Sequence, residues 1–186
     1  MTTVSQSKRI AVRLDLAQAN LASIGTLVTG SIIAIWLAKD QADYIPFRWF
    51  HILFFAVGIP VLVLIHEAVH ALAGMFFGKL KLESFKFGVF WHCLMPYCHC
   101  LEPVSVRTYR RVLIMPLLLT VPLFVWFLSH HPAVWSAILT AFSLSGCMGD
   151  LLIFHKLNGM KQDSLVLDSP DEAGCDVIVS DKAQAA

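Results

Sequence analysis

Apolar residues run through this chain in long unbroken stretches, without the strict alternation of a half-buried strand or the narrow stripe of a surface helix. Four stretches, roughly Leu21–Ala38, Phe50–Gly78, Val112–Ser129 and Ala133–Phe154, each reach the length of about 20 residues that crosses a hydrocarbon core. The first carries the small residues Gly25, Gly30 and Ser31, which permit close helix packing. The second exceeds one crossing, so it is expected to tilt or to emerge into the cytosol. The third holds Pro116 and Pro122, tolerated in membrane helices when neighbours satisfy the freed carbonyls. The fourth ends in Ser145-Gly146-Cys147-Met148-Gly149-Asp150. The pattern predicts an all-α membrane protein with four transmembrane helices.

Between the second and third spans, Phe85, Phe87, Val89, Phe90 and Trp91 form an apolar stretch, with Pro96 near a turn and Tyr97 to Leu101 beyond. This segment reads as a β-hairpin or re-entrant element lying against the bilayer, or else as a cytoplasmic loop with an interfacial aromatic belt. Residues from Asn158 onward are polar, with a turn signal at Asp168-Ser169-Pro170-Asp171 and an expected disordered end from Asp181 to Ala186. The expected organisation is a four-helix transmembrane domain over residues 1–157 and a cytoplasmic tail over 158–186.

Composition agrees with the pattern. The 186 residues are 57% hydrophobic and 15% charged, and mean hydropathy is +0.68, values that exclude an ordinary soluble domain. A net charge of +1 without a basic block gives no reason to expect a nucleic-acid partner. Lys8, Arg9 and Arg13 precede the first span; Lys79, Lys81, Lys86, Arg107, Arg110 and Arg111 lie between the second and third; Lys156 and Lys161 follow the fourth. The positive-inside rule therefore places both termini and the long loop in the cytoplasm, as expected of a multi-pass protein of the cell (inner) membrane. Cys93, Cys98 and Cys100 then fall where thiols stay reduced. The first apolar run starts too late, and runs too long, for a cleavable signal peptide.

The chemistry sits inside the second span, where Glu67 of His66-Glu67-Ala68-Val69-His70 is the only acidic residue. Histidines four apart on a helix project from one face and can share a metal ion, and a carboxylate beside the first can take a proton from water. A chance match to this spacing arises in on the order of 1% of such chains. The competing readings are two exposed histidines, which would have to sit in lipid, and a structural metal clip, which would favour four ligands and cysteine. A catalytic zinc needs three protein ligands. Asp150, the acidic residue of the fourth span and at similar depth to the motif, is the chosen third. Its alternative role is a helix-terminal carboxylate paired with Lys156 or solvated in the interface. His155, Glu102, His99 and Cys147 are the competing ligands. His92, Cys93, Cys98, His99 and Cys100 could in principle build a second metal site, but their spacing is not that of a zinc knuckle, and unligated thiols are the expectation.

With these features in place, the chain resembles intramembrane zinc metallopeptidases of the site-2-protease type. It is still more similar to a group of bacterial membrane proteins classed as "putative zincin peptidase". The matching stretches are His66-Glu67-Ala68-Val69-His70-Ala71, Phe87-Gly88, Tyr97-Cys98-His99-Cys100-Leu101-Glu102-Pro103, Met115-Pro116, Gly149-Asp150-Leu151 and Leu167-Asp168-Ser169-Pro170-Asp171-Glu172-Ala173-Gly174. The resemblance implies His66, His70 and Asp150 as zinc ligands and Glu67 as general base. It also implies a membrane-associated β element, between the second and third spans, that holds an extended substrate. Site-2 proteases carry their aspartate in an Asn-Pro-x-x-Asp-Gly or Leu-Asp-Gly context, whereas this chain has Met148-Gly149-Asp150-Leu151. Asp150 is therefore carried over by depth.

The functional expectation is a zinc metalloendopeptidase that hydrolyses membrane-embedded or membrane-adjacent segments of a protein or peptide substrate, with the lipid bilayer as its surroundings. The alternative is a non-enzymatic membrane metal-binding protein, a sensor or transporter. Glu67 separates the two, because a metal binder needs no base beside its ligand.

Overall fold

The computed structural model describes residues 7–41, 45–90, 95–170 and 172–180. Strand β1 (Ser7–Arg13) leads into helix α1 (Leu16–Ala38), whose first turn is capped by Asp15: Oδ1 accepts the amides of Ala17 at 3.0 Å and Gln18 at 3.2 Å. Helix α2 (His51–Gly78) follows, then a single 3₁₀ turn at Leu82–Ser84. Strands β2 (Phe85–Phe90) and β3 (Met95–Cys100) pair antiparallel, with Gly88 opposite Tyr97. Short β4 (Val104–Ser105) feeds helix α3 (Val106–His130). Helices α4 (Val134–Gly146) and α5 (Met148–Lys156) follow, then β5 (Leu165–Asp168) and β6 (Gly174–Ser180).

Four helical segments, taking α4 and α5 together, are long and apolar enough to cross a membrane. Their sides carry large exposed apolar residues such as Leu21, Ile32, Trp36, Leu53, Leu72, Phe76 and Trp126, the surface expected where the surrounding solvent is hydrocarbon. The fourth segment is central: 44% of its most apolar window is buried, against 6% for α2. It packs on α1, α2 and α3 through small and hydroxylated side chains. A Cβ on Gly30 would stand 3.2 Å from that of Ala141. Ser143 Oγ donates to Thr120 Oγ1 at 3.1 Å, and Thr120 Oγ1 donates to the Pro116 carbonyl at 2.7 Å. Close backbone approach and such bonds, in place of a hydrophobic driving force, hold helices together in lipid.

Apart from α1, which starts at Leu16 and not Leu21 behind the Asp15 cap, the structure departs from the sequence reading in three places. First, the chain is mostly helical but not all-α. β1, β6, β5 and β4 form one antiparallel sheet in that order, recruiting residues before α1, before α3 and after α5. The polar region beyond Asn158, in which no strand was expected, supplies β5 and β6. Its short strands lack a long alternating pattern, and their partners lie at the far end of the chain. Second, the third span starts at Val106, not Val112, because Ser105 Oγ accepts the Thr108 amide at 3.2 Å and caps the helix early. Third, the fourth span breaks at Cys147, which puts Asp150 in the first turn of α5. The segment between α2 and α3 is a β-hairpin, one of the forms expected for it. Trp91, His92, Cys93, Asp171 and the end from Asp181 lie outside the described residues.

Beneath the helix ends, Val12, Val104, Val106, Tyr109, Leu113, Ile153, Leu157, Val166, Cys175 and Val177 make a core of the kind found in soluble domains. It clamps the sheet to α3 and α5. At the opposite end, Ile45 and Ala133 form a parallel bridge that ties the α1–α2 connection to the α3–α4 turn.

Candidate metal centre

His66 and His70 stand one turn apart on α2, and both rings point toward the α3–α5 side. Their Nε2 atoms are 3.1 Å apart. Asp150 Oδ2 lies 3.1 Å from His66 Nε2 and 3.3 Å from His70 Nε2. The two side chains are only 11% and 10% exposed. The break after Gly146 lets α5 approach this closely: a Cβ on Gly146 would come to 4.0 Å from His66 Nδ1.

The donor set fits a metal ion. Tetrahedral zinc with bonds of about 2.0–2.2 Å has ligand–ligand edges of about 3.3–3.6 Å, close to the triangle seen here. The second contact of His70 points the same way: Nδ1 lies 3.1 Å from the Val112 carbonyl and donates to it, which turns Nε2 inward to the other two donor atoms. A cation at the centre would satisfy all three atoms. Among the described residues this is the single cluster of histidine, cysteine and acidic side chains with such geometry.

The competing assignments separate cleanly. Lys156 does not pair with Asp150: its Nζ donates to the Arg13 carbonyl at 2.8 Å. Glu102 accepts from Ser84 Oγ. Cys147 Sγ donates to the Ser143 carbonyl, and His99 stacks on Tyr97 with ring centroids 4.1 Å apart. His155 is exposed. Burial pushes the Cys98 thiol up to about 12, helped by the charges of Glu67 and Asp168, and does the same to Cys175. Such thiols stay protonated and are poor metal ligands.

A cavity of about 180 Å³ opens beside the cluster, lined by Glu67, Tyr97, Cys98, Tyr109 and Asp168 among others. That is room for several waters. Glu67 is half-buried at its wall and makes no hydrogen bond to another described residue. Asp168, which the sequence offered as part of a turn and of one stretch that carries the family resemblance, is a structural pivot. Its carboxylate accepts the Tyr109 hydroxyl and, at 2.6 Å, the Cys100 amide. It thereby joins the sheet, α3 and the hairpin at the cavity. Burial raises its pKa, while the Tyr109 and Cys100 hydrogen bonds pull the other way. Neither the turn signal nor the matching stretch showed its pivot role, since its partners come from distant parts of the chain.

Residues 59–165 match the family described as "Putative zincin peptidase". The chain belongs to that family. The matched region contains His66, Glu67, His70 and Asp150, and family membership implies zinc as the cofactor. A protein of Pyrococcus woesei, described as "Uncharacterized 24.7 kDa protein in gap 5'region", is 27% identical over 148 residues. That alignment covers 78% of this chain and 63% of the relative's length. No solved structure matches the chain. The zincin peptidase family points to a metallopeptidase, and the convergent donors of α2 and α5 suit its metal.

Proposed function

We propose that this zincin peptidase is an intramembrane zinc metalloprotease of the site-2-protease type, with His66, His70 and Asp150 as ligands and Glu67 as general base. The observation that carries the reading is the convergence of three donor atoms from two apolar helical segments, beside a carboxylate that faces a cavity. Ionisable groups at membrane depth are costly and persist where they serve a function. When bound, zinc supplies Lewis acidity toward a peptide carbonyl and toward water.

The protein's own residues account for the remaining chemistry. The Glu67 carboxylate accepts a proton from the attacking water and returns one to the leaving amide nitrogen. Val112 holds His70 in position. The β2–β3 hairpin, joined to the cavity through the Asp168–Cys100 bond, offers strand edges to an extended substrate by strand addition. A membrane segment must unwind before it can be cut, because a helix hides its carbonyls in hydrogen bonds.

The orientation that suits this chemistry has the sheet and hairpin in the cytoplasm. The sheet unites the residues flanking α1, α3 and α5 at one end of the bundle, where Lys and Arg are concentrated. Water then reaches the site from that side. The decisive test compares zinc content and cleavage of a membrane-segment substrate for the wild type and Glu67→Gln. Zinc retained with cleavage lost supports the protease; cleavage unchanged in the variant rejects it in favour of a metal-binding role.

A further inference from the structure

We infer that Pro116 is a positioning residue for the metal centre: by withholding an amide proton, it frees the Val112 carbonyl to hold His70 in a ligand's orientation. The inference rests on the ligand set proposed above. In an α-helix the carbonyl of residue 112 accepts the amide of residue 116. Residue 116 of α3 is proline, which has no amide proton. Val112 is therefore left with an orphan carbonyl inside an apolar helix, where no lipid group can satisfy it. The group that does so belongs to another helix: His70 Nδ1, at 3.1 Å.

This bond does two things at once. It offsets the lost helical bond, and it fixes the proton on Nδ1. Nε2 then faces Asp150 Oδ2 and His66 Nε2, 3.3 Å and 3.1 Å away. Pro116 itself is fully buried. Its own carbonyl accepts from Thr120, which Ser143 ties to α4. This turn of α3 is thus braced against the fourth span, so the Val112 carbonyl is held still as well as left free. Pro122, in the same helix, frees the carbonyl of Leu118, a residue 56% exposed on the outer surface. That makes Pro122 a natural control.

The test uses the full chain purified in detergent. Zinc affinity is measured by chelator competition for the wild type, Pro116→Ala and Pro122→Ala. Alanine at 116 restores an amide that competes with His70 for Val112. Pro116→Ala should weaken zinc binding by about 10–100-fold, the usual cost of losing an outer partner of a ligand histidine. It should also change the visible absorption of the cobalt-loaded protein. Pro122→Ala should do neither. Nitrogen NMR of the zinc-loaded wild type should find His70 protonated at Nδ1 and metal-bound through Nε2, and this decides the matter if Pro116→Ala does not fold. Unchanged affinity in Pro116→Ala, an equal loss in Pro122→Ala, or coordination through His70 Nδ1 would overturn the inference while leaving the ligand set standing. A wild type that takes up no zinc would remove both.

Discussion

Asp150 Oδ2 and His66 Nε2 lie 3.1 Å apart although 84 positions separate them in the chain. Two helices deliver them. α2 sets His66 and His70 on one face, and the break at Cys147 turns α5 so that its first turn meets that face. On the proposed reading, labour is divided between ligands and base in a way that substitutions can separate.

Glu67→Gln keeps size and removes the proposed base, so zinc content should stay near wild type while cleavage falls by about 100-fold or more. Asp150→Asn should weaken zinc retention as well as turnover, because a neutral amide is a poorer ligand for a cation. His66→Ala should lose both. Zinc content by elemental analysis, alongside cleavage at matched folded yield, orders the three. Equal zinc loss in all of them would deny Glu67 a role distinct from the ligands.

Gly88 can be probed without touching any ligand. A Cβ there would collide with the Tyr97 hydroxyl, which covers the glycine across the hairpin. Gly88→Val must displace Tyr97 and distort the β2–β3 edge. Zinc affinity should hold, and cleavage should fall through a raised KM as substrate pairing weakens. A changed zinc content with unchanged KM would contradict a substrate-holding hairpin.

Asp168 gives a pH signature. Its pKa in the folded protein is raised above the usual 3.8, mainly by burial. The sign follows: its contribution to stability is fully present below the unfolded value and is lost as pH rises through the folded value. Replacing it with asparagine should flatten that part of the stability–pH curve, read as the difference between wild-type and Asp168→Asn thermal midpoints across mildly acidic pH. Tyr109→Phe, which removes the hydroxyl bonded to Asp168, should destabilise by about 1–3 kcal/mol.

Orientation is open to labelling in a cysteine-depleted background. Asp163→Cys, in the exposed turn before β5, should resist an impermeant thiol reagent applied to intact cells, and Asp40→Cys, just after α1, should react. The reverse pattern would place the metal centre toward the opposite face of the membrane.

The amino-acid sequence by itself determined the four long apolar segments and the His66-Glu67-x-x-His70 spacing, because both are local. Hydrophobic length is read along one stretch, and residues four apart share a helix face wherever that helix sits. Asp150 was reachable because membrane depth lends the sequence a shared coordinate: a carboxylate at the depth of two histidines is a candidate even without a motif. Tertiary structure alone decided the rest. Which carbonyl Pro116 would free was written in the sequence, but that His70 would take it depended on how α2 packs on α3. The sheet that joins β1 to β6, and the Asp168 pivot among Tyr109, Cys100 and the cavity, pair residues from opposite ends of the chain through backbone and hydroxyl groups. Such bonds carry no side-chain periodicity, so only the packed fold selects them.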